Sequence, residues 1–300
     1  MQFVDKALAR RFESAEEIPQ VEYARYFARQ RPEIGAAAEE ICGGHMIFAG
    51  PNSPIGRAVG MGFNGPVRAE DLDRLEEFYR SHGVPAQLDL CPLSDSSLLE
   101  LVKDRNYGIV ELNNVRYLRI GEFAGDTTPA EPKPAAVPSG VEIRRTTREE
   151  AKVLSSIVGR SFFEGGDVPE GFDDLLTPMY EFPGAMAYVA LVDGEPAAAA
   201  AGLVIREHQI VALFGAGTLP RFRGRGIQTA LLRARIQAAA EEGCEYAVIV
   251  TLGGTVSERN SVRLGFQCAY SKATLIRRWD ESRAEHGELL RAARPAGNPG

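Results

Sequence analysis

Basic charge, closely spaced cysteines and long apolar runs are all scarce in this sequence. Its 34 Lys and Arg face 41 Asp and Glu, a formal net charge of -7. Nucleic-acid backbones demand a basic face, so no nucleic-acid partner is expected. Cys42, Cys91, Cys244 and Cys268 stand far apart with no CxxC spacing. That argues against zinc, and a chain with enough apolar sequence for a core has little need of a disulfide framework. His45, His82, His208 and His286 are isolated from one another and read as surface or core residues, so no metal is expected. No apolar run approaches the ~20 residues that span a bilayer. The opening Met1-Gln2-Phe3-Val4-Asp5-Lys6 lacks a basic stretch followed by an apolar one. The expected location is therefore cytoplasmic, without a membrane partner.

The remainder is ordinary globular material, 44% hydrophobic and 25% charged. A chain of 300 residues is long for one core, and two domains of about 120–160 residues are the default. The clearest composition break is Gly125 to Gly140, which holds four prolines and no aromatic residue and reads as an extended linker. The expected division is a first domain at 1–122, a linker at 123–140 and a second domain at 141–279. A C-terminal helix remnant and disordered tail follow at 280–300.

In the second domain Val141–Arg145 alternates like a strand. Thr147 and Glu150 form a capping box for a helix that turns Ala151, Leu154, Ile157 and Val158 inward. Met186–Val192 and Pro196–Ile205 flank an Asp193-Gly194 turn and predict a hairpin. A strand follows over Gln209–Thr218. Leu231, Ala234 and Ala238 mark a helix from Ile227 that Gly243 stops. Tyr246–Thr251 is a short strand, Thr255 and Glu258 open a helix ended by Gly265, and Cys268–Ile276 is the last strand. The first domain reads as a helical lead-in and a strand pair at His45–Ala49 and Arg57–Phe63. A helix at Ala69–His82, a strand at Gln87–Leu90, a helix at Ser96–Lys103 and a strand pair to Ile120 complete it. The fold class is α/β (α+β), each half a mixed, mostly antiparallel twisted sheet flanked by helices.

Chemistry concentrates at Gly217-Thr218-Leu219-Pro220-Arg221-Phe222-Arg223-Gly224-Arg225-Gly226-Ile227-Gln228, where a strand turns into a helix. N–H groups at a helix start are unpaired within the helix and sit at the positive end of its dipole, a ready anion site. Gly224 and Gly226 let the backbone approach a phosphate. Arg221, Arg223 and Arg225 add charge-assisted donors.

These residues resemble the GCN5-related N-acetyltransferase (GNAT) family, whose turn reads [Q/R]-x-x-G-x-[G/A]; Arg221, Gly224 and Gly226 fill it. A second landmark is Asn260-Ser261-Val262-Arg263-Leu264-Gly265-Phe266, which looks like the family's late helix and the Gly-Phe that follows it. The resemblance covers about 141–279 and implies two tandem GNAT-like domains, the first degenerate. It implies acetyl-CoA as acyl donor. Ala216, Gly217 and Thr218 would pair with the pantetheine, the amides from Gly224 through Ile227, Gln228 and Thr229 would hold the pyrophosphate, and Asn260 would approach the pantetheine or thioester end.

The implied reaction is N-acetyl transfer to a primary amine of a small molecule or amino-acid-like acceptor, by direct attack in a ternary complex. Two departures stand out. Many family members have a tyrosine acid where this chain has Ser261, and a glutamate on the strand that here offers only Phe214, Ala216 and Thr218. Tyr270 or Ser257 are the candidate acids, and Glu164 or Asp167 the candidate bases through water. The same departures motivate the alternative of a catalytically silent CoA-binding regulator. In the first half Gly62-Phe63-Asn64-Gly65-Pro66-Val67 occupies the corresponding turn. Pro66 has no N–H to offer a phosphate, so no second CoA turn is expected. The assembly expected is a monomer or homodimer.

Overall fold

The computed structural model describes residues 2–51, 53, 55–123, 137–163 and 167–277. Its elements begin with α1 (Lys6–Gln30), β1 (Ala37–Ile41), β2 (Gly44–Phe48), α2 (Ala69–Ser81), β3 (Ala86–Leu90), α3 (Ser96–Asp104), β4 (Gly108–Arg119) and α4 (Ile120–Phe123). They continue with β5 (Val141–Arg145), α5 (Ala151–Phe162), α6 (Phe172–Leu176), α7 (Pro178–Glu181), β6 (Ala185–Val192) and β7 (Glu195–Ile205). The last are β8 (Ile210–Thr218), α8 (Ile227–Glu241), β9 (Tyr246–Leu252), α9 (Val256–Arg263) and β10 (Gln267–Arg277). Among the described residues no helix is long and apolar enough to cross a membrane.

Two compact units result. The first gathers the described residues of 2–115, 250–253 and 268–277, the second those of 116–249 and 254–267. This differs from a division at 122 and 141, because strand pairing outweighs chain order. Residues 273–277 of β10 pair antiparallel with 86–90 of β3, so the last strand completes the first unit.

In the first unit Leu72, Leu75 and Tyr79 of α2 are fully buried in a core shared with Leu88 of β3 and Leu98 of α3. The sequence placed a strand pair at His45–Ala49 and Arg57–Phe63. Instead β2 pairs with β1, and 57–63 keeps only the isolated bridges His45↔Val59 and Ala58↔Leu88. Gly60 and Gly62 have φ of 72° and 80°, a left-handed backbone that cannot continue a strand. The strand pair expected up to Ile120 is the single strand β4. Beside the apolar core lies a polar one. Lys272 Nζ sits 3.1 Å from Glu13 and 3.2 Å from Asp89 and contacts Glu16, while Arg57 bonds Glu16 and Asp89.

The second unit follows the expected order. β5, β6, β7 and β8 are antiparallel neighbours, and β9 joins β8 in parallel. Thr147 N donates to Glu150 Oε2 at 3.1 Å, the expected capping box. Ala197 to Ala201 are all fully buried. A strand buried at consecutive positions is covered on both faces, and alanine lets α5 and α8 both pack close to β7. The linker residues 124–136, Glu164 and the 280–300 tail lie outside the described residues.

Candidate functional site

Strand β8 departs from a regular ladder on both sides. Toward β9 its parallel pairing covers only Ile210–Leu213 against Tyr246–Ile249. Toward β7 it runs on to Thr218, opposite Ala198. Residues 214–218 therefore keep one strand neighbour and present their other backbone edge outside the β9 ladder. The β7 register also breaks, from Ala201↔Phe214 to Ala199↔Gly217. Ala200 thus faces both Gly215 and Ala216, a β-bulge, and Gly215 takes φ 55°. Tyr180 of α7 donates its hydroxyl to Gly215 O at 2.8 Å.

Gly217 is required by packing. A Cβ built there would lie 2.2 Å from Ser161 Oγ and 3.1 Å from Val158 Cα, so its absence lets α5 lie against the strand. Beyond it, Thr218 Oγ1 accepts from Gln228 Nε2 at 2.8 Å, which ties the strand end to the first turn of α8.

The Pro220–Phe222 turn leads to Gly224 and Gly226 with φ of 76° and 74°. These left-handed positions turn the chain into α8, whose N-cap is Gly226 with no side-chain cap. Ala230 N is the first to bond one helical turn back, to Gly226 O at 3.1 Å. The N–H groups of Ile227, Gln228 and Thr229 therefore have no carbonyl within the helix. Among the described residues nothing lies within 4 Å of a Cβ built at Gly224, and only Pro138 Cγ, at 3.7 Å, near one at Gly226. Exposed donors, two glycines and a 15-residue helix dipole make a cradle that fits a pyrophosphate.

The three arginines divide their work. Arg221 pairs with Glu195 and lies 4.8 Å over the Phe222 ring. Arg223 donates to Ser161 O at 2.7 Å and Thr218 O at 3.2 Å, so it braces the loop. Arg225 is exposed at the turn and lies 5.6 Å from the Phe222 ring centroid. Of the three, Arg225 is the one best placed to meet a phosphate.

The expected acids fare differently. Tyr270 is a core residue of the first unit, where its hydroxyl donates to Glu13 Oε1 at 2.7 Å. Burial, followed by the Glu13 charge, pushes it well above the ordinary tyrosine range. A proton held that firmly is poorly suited to a departing thiolate; Tyr270 belongs to the first unit and the turn to the second. Ser257 is exposed on α9. Ser261 is buried, and its hydroxyl is spent on Glu258 O at 2.7 Å. Asn260 is half-buried on α9, and Asp167 is exposed. Sequence reading missed two side chains that bond the β8 backbone, Tyr180 to Gly215 O and Arg235 to Phe214 O. Tyr180 lay in a segment without periodic signal, whereas Arg235 sits four residues after the inward-facing Leu231, a charge at a core position.

Residues 154–266 match the model of the acetyltransferase (GNAT) family. Among solved structures the chain is similar to a GCN5-related N-acetyltransferase from Kribbella flavida. That match has 18% identity and a TM-score of 0.59, over 86% of this chain and 96% of that one. It is also similar to a tandem GNAT protein from the clavulanic acid biosynthesis pathway. There the identity is 14% and the TM-score 0.51, over 69% of this chain and 68% of that one. At such identities the likeness is one of fold. No curated protein matches the sequence.

Proposed function

We propose that the chain, whose residues 154–266 match the acetyltransferase (GNAT) family, moves an acetyl group from acetyl-CoA to a primary amine of a small molecule or amino-acid-like acceptor. The carrying observation is the uncapped start of α8 behind two left-handed glycines, next to a β8 edge that β9 leaves open.

In this reading the amides from Gly224 to Thr229 hold the pyrophosphate, with Arg225 adding charge. The open edge of Ala216, Gly217 and Thr218 bonds the pantetheine amides, and Asn260 serves the pantetheine or thioester end. The Ala216 N–H, at the bulge opposite Ala200, donates to the thioester oxygen as negative charge builds on it. The acceptor attacks directly in a ternary complex. An alkylamine has a pKa near 10.4 and must lose a proton first, and exposed Asp167 is a base that can work through water. The acceptor is small, nucleic acid is not a partner, and the assembly is a monomer or homodimer.

The second reading, a catalytically silent CoA-binding regulator, is favoured by one observation. Ser261 stands where family members carry a tyrosine acid, and its hydroxyl is already bonded to Glu258 O. Calorimetry with CoA, together with thiol release from acetyl-CoA across an amine panel, separates the two. A transferase binds and releases thiol with an acceptor; a regulator binds and never turns over. No CoA binding at all sinks both.

A further inference from the structure

Arg235 is the largest fully buried side chain of the chain's described residues, 1% exposed, and no described carboxylate pairs with it. Its neighbours on α8, Leu231, Leu232, Ile236 and Ala239, are buried and apolar, and an apolar residue there would avoid desolvating a cation. Burial lowers its pKa to about 10, so at neutral pH the guanidinium is still charged. Nε donates to Leu231 O at 3.1 Å. Nη1 donates to Ala201 O at 2.6 Å and reaches Phe214 O at 3.4 Å. Nη2 has no hydrogen-bond partner among the described residues.

The two carbonyls it meets are not arbitrary. Ala201 and Phe214 are the last in-register pair before the β7–β8 ladder breaks. A charged donor that bridges both strands at that point fixes where the bulge begins. The next peptide is fixed from α7, by the Tyr180 hydroxyl on Gly215 O at 2.8 Å. A trans peptide is planar, with its N–H opposed to its C=O, so holding Gly215 O toward Tyr180 directs the Ala216 N–H the opposite way. Every peptide bond described is trans. A larger residue would be strained there, since φ is 55° and a Cβ built at Gly215 would lie 3.1 Å from Met179 Sδ.

We propose that Arg235 and Tyr180 are positioning residues for acyl transfer, clamping the Phe214–Ala216 bulge from α8 and α7 so that the Ala216 N–H is held ready for the thioester oxygen. This rests on the reading of β8 as the acetyl-CoA edge. Neither residue touches the acyl group; both act through the backbone between them. The clamp accounts for a buried charge that core packing does not need, and it replaces flexibility at Gly215 with a fixed donor direction.

The test uses full-length wild type, Tyr180→Phe, Arg235→Met and Arg235→Lys. CoA affinity is read by calorimetry, and the carbonyl stretch of bound acetyl-CoA, labelled at the acetyl carbon, by infrared difference spectroscopy. Thiol release from acetyl-CoA is read alongside. Wild type is expected to bind and to lower the carbonyl frequency below that of free acetyl-CoA. In Tyr180→Phe and Arg235→Met the CoA dissociation constant should stay within about twofold, since the phosphate cradle is untouched. The carbonyl shift should shrink, and thiol release should fall on the order of ten- to a hundredfold. Arg235→Lys, with one point donor for two carbonyls, should fall between. Tyr180→Phe removes a single hydroxyl and keeps the test open if Arg235→Met does not fold. A wild-type carbonyl shift retained in the folded variants overturns the clamp while leaving the cofactor assignment standing. A wild type that binds no CoA overturns the assignment and the clamp with it.

Discussion

Lys272 Nζ lies 3.1 Å from Glu13 Oε2, and each side chain is only 1% exposed. Burial alone would lower the Lys272 ammonium, yet Glu13, Glu16 and Asp89 together hold it well above the ordinary lysine range. Glu13 shifts upward, chiefly from burial that Lys272 only partly offsets. The cation is thus indispensable and the Glu13 charge less so. Lys272→Met should cost about 3–5 kcal/mol of unfolding free energy, as removal of one partner from a buried ion cluster does. Glu13→Gln should cost clearly less, because Lys272 keeps Glu16 and Asp89. Denaturant titration of both variants checks this; equal losses would contradict it.

The same cluster sets a pH dependence through Asp89. Burial would raise its carboxyl, but Arg57 and Lys272, with the Thr274 hydroxyl, hold it below the usual range. Between the unfolded value, about 3.9, and that lower folded value, the unfolded chain binds more protons. Stability from Asp89 is therefore fully present above about pH 4 and lost as pH falls toward the folded value. Glu13 acts with the opposite sign, its contribution being lost as pH rises through its raised folded value. Asp89→Asn, already weaker at pH 7, should lose less stability than wild type on acidification below pH ~4. Parallel curves of unfolding free energy against pH would rule Asp89 out as the source.

One acetyl-CoA per chain is the expected stoichiometry. The second candidate turn leads into α2, and there the Asp71 carboxylate accepts from Arg68 N at 2.8 Å. Glu70 joins it in the first turn, so this helix start supplies its own anion and repels another. Isothermal titration should give one site, and two sites of similar affinity would refute the reading of the first half as degenerate.

Much of this was legible in the sequence because local chemistry dictated it. The Thr147–Glu150 box, the Asp193-Gly194 hairpin and the Gly224–Gly226 turn each depend on neighbours within a few residues, and each stands where periodicity and turn chemistry placed it. What the sequence hid is non-local. Nothing near Tyr270 announces that it bonds Glu13, 257 positions away, so its reading as an acid rested on residue type alone. The β10–β3 pairing likewise joins Ala273 to Leu90 across a linker that looked like a domain boundary. Arg235 was visible in principle, as a charge on an inward helical stripe, but its partners are backbone carbonyls, which carry no sequence signature.

Gly226→Asp tests the phosphate cradle at its centre. The backbone there has φ 74°, a region aspartate enters more readily than most residues, at a cost of roughly 1–2 kcal/mol. Among the described residues a Cβ at this position meets only Pro138 Cγ, at 3.7 Å, so the side chain fits without displacing the turn. The carboxylate would then stand at the N-cap of α8, where it can accept from the N–H groups of the first turn as N-cap aspartates do. Capping should recover part of the strain, and the variant should melt close to wild type. Yet the same bonds would occupy the donors that the pyrophosphate needs and set a negative charge against it. CoA affinity should drop at least a hundredfold, while Gly226→Ala, bearing the strain without the charge, should lose far less. Calorimetry on the two folded variants decides the point: if Gly226→Asp binds CoA as wild type does, the start of α8 does not hold the cofactor.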